Sequence, residues 1–273
     1  MFHYFRSIGF SRIISDGHKK ILSDCILENP DYRYIMSKNF NHIFIDFYKE
    51  FSDNMGVSLK GVMTDKEEVT VKSLQPYFFT NNVINIHNIK IVDYDDDYLA
   101  LCEKTDINLK FNFYIQNKLD YLGNKKNCST KINIAGLASS GKVVLPLNNG
   151  QHITSEVFDL KSFDHSLNTG YKNGFKKTKK NTEFKIKQNL NFLSIIENYF
   201  LPNCYSKTNY FILGNIKSYT KICNKETNEE VYLLKLSVTG LDLDVCINSC
   251  DLFGVPFPGM RFMGNCWLQG KLL

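Results

Sequence analysis

The chain is poor in the features that announce a membrane protein, a metalloprotein or a common hydrolase. It has no run of about 18 apolar residues, so no segment is predicted to cross a membrane as a helix. Arg6 and Arg12 interrupt the first dozen residues and no apolar stretch follows them, so no export signal is expected there and the reading is a cytoplasmic protein. The eight cysteines form no CxxC pair, and the six histidines show no HxxxH spacing. Neither pattern suits a zinc site, and scattered cysteines of this kind read as reduced, half-buried small hydrophobes. No serine or cysteine sits in a GxSxG elbow or a cysteine-protease context. Neither a cofactor nor catalysis is therefore expected. A net charge of +5 permits contact with a polyanion but does not require it.

What is present is strand pattern. Hydrophobic residues make up 43% and aromatics 14% of the chain, the composition of a packed globular protein. The clearest stretch is 209–273. Tyr210, Ile212 and Ile216 fall on one face, as do Tyr232, Leu234, Leu236 and Val238, and then Leu241, Leu243, Val245 and Ile247. Two-residue alternation of this kind marks strands with one side in a core and the other wet. Earlier strands are predicted at 32–36, 43–51, 57–63, 69–79, 89–92, 98–101 and 107–115, with Gln75-Pro76 arguing for an edge. A hairpin is predicted from 131–137 and 142–147. Helices are expected from about Asp16 to the Asn29-Pro30 stop and over 188–200, while residues 1–14 read as a strand or a tight turn into a helix. Residues 154–182 lose the alternation and read as a loop or linker.

Two motifs imitate chemistry. Gly136 to Lys142 has the GxxxxGK spacing of a phosphate loop, but Val143-Val144-Leu145-Pro146 follows where a helix should begin, so a strand–turn–strand hairpin fits better. Asp93, Asp95 and Asp97 occupy positions 1, 3 and 5 of a calcium loop, yet Tyr98 stands where glycine is needed and Lys104 where a bidentate glutamate is needed. A solvated acidic turn is the expectation there. Cys246 and Cys250 lie four apart, and alternation turns Cys246 toward the wet side.

One face carries a binding hypothesis. In the last strand, alternation puts Phe262, Gly264, Cys266, Leu268 and Leu272 toward the core. Arg261, Met263, Asn265, Trp267, Gln269 and Lys271 then share the opposite side. An aromatic between basic residues suits base stacking, worth ~1–3 kcal/mol per base. The competing expectation is that another element covers this face, since large exposed aromatics are uncommon. A second basic feature is the segment holding Lys172, Lys176, Lys177, Lys179, Lys180, Lys185 and Lys187 against Glu183 alone. It reads either as an interaction tail or as a solvated loop.

The opening Met1 to Ser11, the run Ile132 to Leu137 with Gly141 to Pro146, the run Ser194 to Pro202 and the closing Gly259 to Gly270 stand in an order that resembles a bacterial, mostly clostridial family described as a domain of unknown function. The likeness runs over nearly the whole chain and is most specific in the closing motif; the lysine-rich segment departs from it, where members have a longer helical stretch. The resemblance implies a cytoplasmic bacterial protein; the family carries no established activity, so it implies no catalytic residues.

The expected fold is mainly β within the α+β class. A β-rich part at 1–150 is followed by a polar, basic linker and helix at 151–206. A small OB-like barrel or curled antiparallel sheet closes the chain at 207–273. The function expected is a non-catalytic binding module for nucleic acid or another polyanion. The alternative is a protein-interaction or scaffold component, which predicts a wide apolar patch. An enzyme ranks third, with Asp93–Asp97 and His87 as its only local cluster.

Overall fold

A computed structural model of the protein describes residues 3–12, 16–39, 42–63, 69–94, 97–119, 131–146, 197–203 and 206–273. The chain divides into two compact units. One joins Met1–Leu145 to Asn198–Leu273; nearly all of the other, Pro146–Glu197, lies outside the described residues, and with it the lysine segment.

The chain opens with two helices, α1 (His3–Ser7) and α2 (Asp16–Glu28). A four-stranded antiparallel meander follows in chain order, β1 (Tyr32–Asn39), β2 (His42–Ser52), β3 (Met55–Met63) and β4 (Val69–Phe78). The β2–β3 turn holds Asn54 at φ 57°, a left-handed conformation that asparagine tolerates better than most residues. β4 lies at an edge of this sheet, where a proline (Pro76) costs no ladder bond on the open side. One face of the meander is apolar, with Ile45, Phe47, Phe51, Met55, Val57, Leu59 and Phe78 in a shared core.

The larger sheet contains β5 (Ile84–Asn85), β6 (Asn88–Tyr94), β7 (Asp97–Lys104), β8 (Leu109–Ile115), β9 (Lys131–Val144), β10 (Tyr199–Pro202), β11 (Asn209–Cys223), β12 (Glu230–Val238), β13 (Leu241–Asn248), β14 (Leu252–Phe253) and β15 (Arg261–Leu272). Five of these strands close a ring. β11, β12 and β13 follow one another as antiparallel hairpins. β13 then runs parallel to β9, with Asp244 opposite Ala135 and Ile247 opposite Ala138. β9 pairs antiparallel with β15 from Leu272–Ile132 to Arg261–Val144, and β15 pairs antiparallel with β11 from Trp267–Asn209 to Arg261–Asn215. The circuit β11-β12-β13-β9-β15 leaves no open edge among its members. Residues facing inward are the ones that alternation selects: Ile212, Ile216, Leu234, Leu236, Leu243, Val245, Ile247, Phe262, Cys266 and Leu268 share one core with Ile132, Ile134 and Ala138 of β9.

Three sequence expectations change. The predicted hairpin at 131–147 is one continuous strand, β9, whose Ser139 is taken up as a bulge where the register passes from Asn265–Ser140 to Cys266–Ala138. Gly141 is needed there not for a turn but for space: a Cβ at that position would lie 2.3 Å from the ring of Phe262. The end of the predicted helix at 188–200 is a strand, since Tyr199–Pro202 pairs with Tyr210–Leu213, while 188–196 lie outside the described residues. Finally, the ring does not close within 207–273. Its fifth strand comes from 131–144, so strands assigned by sequence to separate domains form one sheet and one compact unit. Among the described residues no helix is long and apolar enough to cross a membrane.

The β9–β15 contact is tightest at Gly270, where a Cβ would stand 2.0 Å from the backbone oxygen of Asn133. Gly270→Ala must push two paired backbones apart, and is expected to destabilise the fold by about 1–3 kcal/mol, the usual cost of overpacking. Urea unfolding followed by the fluorescence of the single tryptophan measures this; an unchanged midpoint would mean that the two strands do not approach as described.

Candidate functional site

The binding face read from the last strand exists as a face, but it is covered. Trp267 is only 4% exposed, Arg261 and Gln269 are fully buried, and Met263, Asn265 and Lys271 are half-buried. The register explains why. Leu233, Cys246, Leu137, Trp267 and Asn209 are opposed in turn across β12, β13, β9, β15 and β11, so they form one outward row around the ring. The first helix lies along it. The Tyr4 ring packs at 5.5 Å from Trp267, and its hydroxyl accepts from Asn209 Nδ2 at 2.6 Å. Ser7 Oγ donates to the Ala138 carbonyl, Asn248 Nδ2 to that of Arg6, and Asn224 Nδ2 to that of Ile8. Arg6 clamps Asp251 with two bonds, at 3.1 and 2.6 Å.

On its other side Trp267 meets Tyr114 of β8 at 5.4 Å, and it shares a core with the apolar face of the β1–β4 meander. The indole therefore joins two layers and is not a platform for bases. Its neighbours in the strand are equally committed. Arg261 Nε donates to the Leu145 carbonyl at 2.7 Å, and burial lowers the guanidinium pKa. Gln269 Nε2 donates to the Phe78 carbonyl, and the Lys271 ammonium sits 3.3 Å above the Phe79 ring.

Burial also decides the thiols. Cys246 does point away from the ring interior, as alternation requires, yet it is fully buried under α1, with Sγ 3.1 Å from the Ser7 carbonyl. Burial pushes the Cys246 and Cys266 thiols well above their usual range, and Cys102 up to about 12, so none of the three offers a thiolate for chemistry. The acidic turn is the β6–β7 connection, with Tyr94 opposite Asp97 and residues 95 and 96 outside the described set. His87 does not converge on it as a base: its Nδ1 accepts the Thr105 backbone N–H at 3.2 Å. Among the described residues no group of three or more His, Cys, Asp or Glu is placed to hold a metal ion.

A different surface is apolar and partly exposed. At the end of β14 Phe253 is 44% exposed, and in the loop to β15 Val255 and Phe257 are 58% and 51% exposed. This loop is held, not floppy. Pro256 is buried and Gly254 and Gly259 take left-handed φ values of 91° and 87°. Gly259 N–H donates to the Ile216 carbonyl, Ile216 N–H to that of Met260, and Met260 N–H to that of Phe257. The Phe257 ring meets Tyr219 edge-on at 6.3 Å. On the outer side of the sheet Phe211 and Leu201 form a separate exposed cross-strand pair, divided from the loop by the fully buried Leu213. Alternation alone did not reveal this surface, because the loop has no period; the string Phe-Gly-Val-Pro-Phe-Pro was its only signal.

A family model described as "Domain of unknown function, E. rectale Gene description (DUF3881)" matches residues 5–270. No curated protein and no solved structure matches the chain.

The placement of Trp267 has a direct optical consequence. Its emission is expected to be that of a buried indole and nearly insensitive to iodide. Trp267→Ala, which empties a site between two layers, is expected to destabilise by about 3–5 kcal/mol. Ready quenching together with unchanged stability would return the residue to the surface.

Proposed function

We propose that this chain, which belongs to the DUF3881 family of domains of unknown function, is a non-catalytic binding protein that docks a protein partner on the loop after β14, at Val255 and Phe257. The observation that carries this reading is the exposure of Val255 and Phe257 on a loop fixed by a buried proline and three backbone hydrogen bonds. Exposed apolar clusters on folded proteins mark interaction surfaces. A preorganised loop also loses little conformational entropy on binding, which favours affinity per unit area. Buried aromatic anchors dominate the energetics of protein interfaces.

The polyanion reading rests on a different part of the chain. Lys172 to Lys187 holds seven lysines and one glutamate, a net +6, so the remainder of a chain of net +5 carries −1. On the ring, Lys217 and Lys221 are paired with Asp242 and Glu230 at 2.5 Å each. A closed five-stranded ring is the frame that OB-folds use for oligonucleotides and oligosaccharides. Here the row through Trp267 is occupied by α1. Any nucleic-acid affinity of this protein is thus assigned to the lysine segment and not to the last strand.

Two measurements separate the readings. Val255→Ser with Phe257→Ser is expected to abolish partner capture in a pull-down by the purified protein while leaving the unfolding free energy within about 0.5 kcal/mol, as for surface changes. Anisotropy of labelled single-stranded DNA and RNA tests the lysine segment: phosphate contacts give a log–log salt slope of about −0.7 per phosphate neutralised. Capture that survives the double substitution sinks the loop as a docking site. Salt-dependent nucleic-acid binding weakened by Trp267→Ala at unchanged stability would restore the last strand as the site.

A further inference from the structure

We infer that a cavity of about 240 Å³ beside α2 is a binding site for a free apolar α-amino acid. It is walled by Phe10, Leu22 and Phe51, flanked by Ile21 and Cys25, and rimmed by Arg12, His18, Glu226 and Thr227. The helix builds one wall by its period. His18, Ile21, Leu22 and Cys25 stand three or four residues apart and share a face, with Leu22 buried and Ile21 left 69% exposed above the cavity. The opposite wall is the β11–β12 turn. Asn224 Oδ1 accepts from the backbone N–H groups of Glu226 and Thr227, and Thr227 Oγ1 donates to the Gly9 carbonyl at 2.5 Å. The wall formed by the turn is therefore fixed before any ligand arrives.

Size and charge select the ligand. The cavity opens to solvent on one side, and its apolar floor has room for the side chain of a single amino acid. Its apolar floor asks for a branched or aromatic side chain. On the rim, the Arg12 guanidinium and the Glu226 carboxylate enter no ion pair or side-chain hydrogen bond among the described residues. Opposite charges on one rim, not spent on each other, complement a zwitterion: Arg12 faces the carboxylate, and Glu226 faces the ammonium. A fatty acid would leave Glu226 beside an apolar chain, and an amine would leave Arg12 unused.

Saturation-transfer NMR on the full chain with leucine and phenylalanine tests this. Transfer to the side-chain protons is expected, with a Kd on the order of 1 mM or below. Glu226→Gln is expected to weaken leucine by about tenfold or more, as for loss of a charged hydrogen bond, and to leave N-acetyl-leucine unchanged. Arg12→Gln is expected to weaken both, and leucinamide should bind no better than leucine does to that variant. Both substitutions are on the surface, so folding is not at stake. As a second readout, leucine should slow alkylation of Cys25, which lines the cavity, relative to the exposed Cys223 and Cys250. No transfer from either amino acid at about ten times that Kd, or equal responses from leucine, N-acetyl-leucine and leucinamide in all three proteins, overturns the assignment.

Discussion

Everything in this protein depends on β9. A strand in the middle of the chain closes a ring whose other four strands all come from its last quarter, and it does so with a parallel pairing on one side and a long antiparallel pairing on the other. Strand edges left open expose backbone donors and acceptors, which is costly when buried and an invitation to aggregate when not. β9 removes two edges at once. The same strand carries β5 at its start and β14 at its end, so it also fixes where the exposed loop leaves the sheet. The cost is kinetic: no local hairpin can form this ring, and non-local closure of that kind folds slowly.

The second sheet is attached to the ring by carboxamides as much as by hydrophobic contact. Gln116 Nε2 donates to the Pro76 carbonyl and Gln269 Nε2 to that of Phe78, so side chains from β15 and from the residue after β8 finish the open edge of β4. Asn133 Nδ2 does the same for Thr80, whose hydroxyl is bonded to Asp244. Tyr48 donates to the Gln116 carbonyl at 2.7 Å from the polar face of the meander, and Gly56 lets the Lys49 backbone of β2 approach, where a Cβ would stand 1.9 Å from its oxygen. Polar residues that a strand pattern would send to solvent are spent on this joint. Ser58 and Gln269 are buried there, the first against Gln116 and the second against the Phe78 carbonyl.

Function follows from which surfaces remain. The ring's outward row is closed by Tyr4 and the N-terminal helix, and its charged strands neutralise themselves in pairs. What the folded body offers is an apolar loop with fixed geometry and a small cavity with unspent charges of both signs. Most of the excess positive charge lies in residues 172–187 of the sequence.

By itself the sequence determined the class of fold, most strand positions and which residues of 209–273 face inward, because strand alternation is a local property and one-sided burial writes it into every second residue. Alternation assigns Arg261, Met263, Asn265, Trp267, Gln269 and Lys271 to one side of the last strand. It stops there, since alternation tells two faces apart but not what packs on the second. Tertiary structure alone decided that Tyr4 and Tyr114 cover Trp267, that residues 131–144 complete the ring as one strand, and that Arg12 and Glu226 meet at one cavity. Each of these joins residues more than a hundred positions apart or turns on whether two backbones fit within a few ångströms, and neither distance nor fit leaves a period in a sequence.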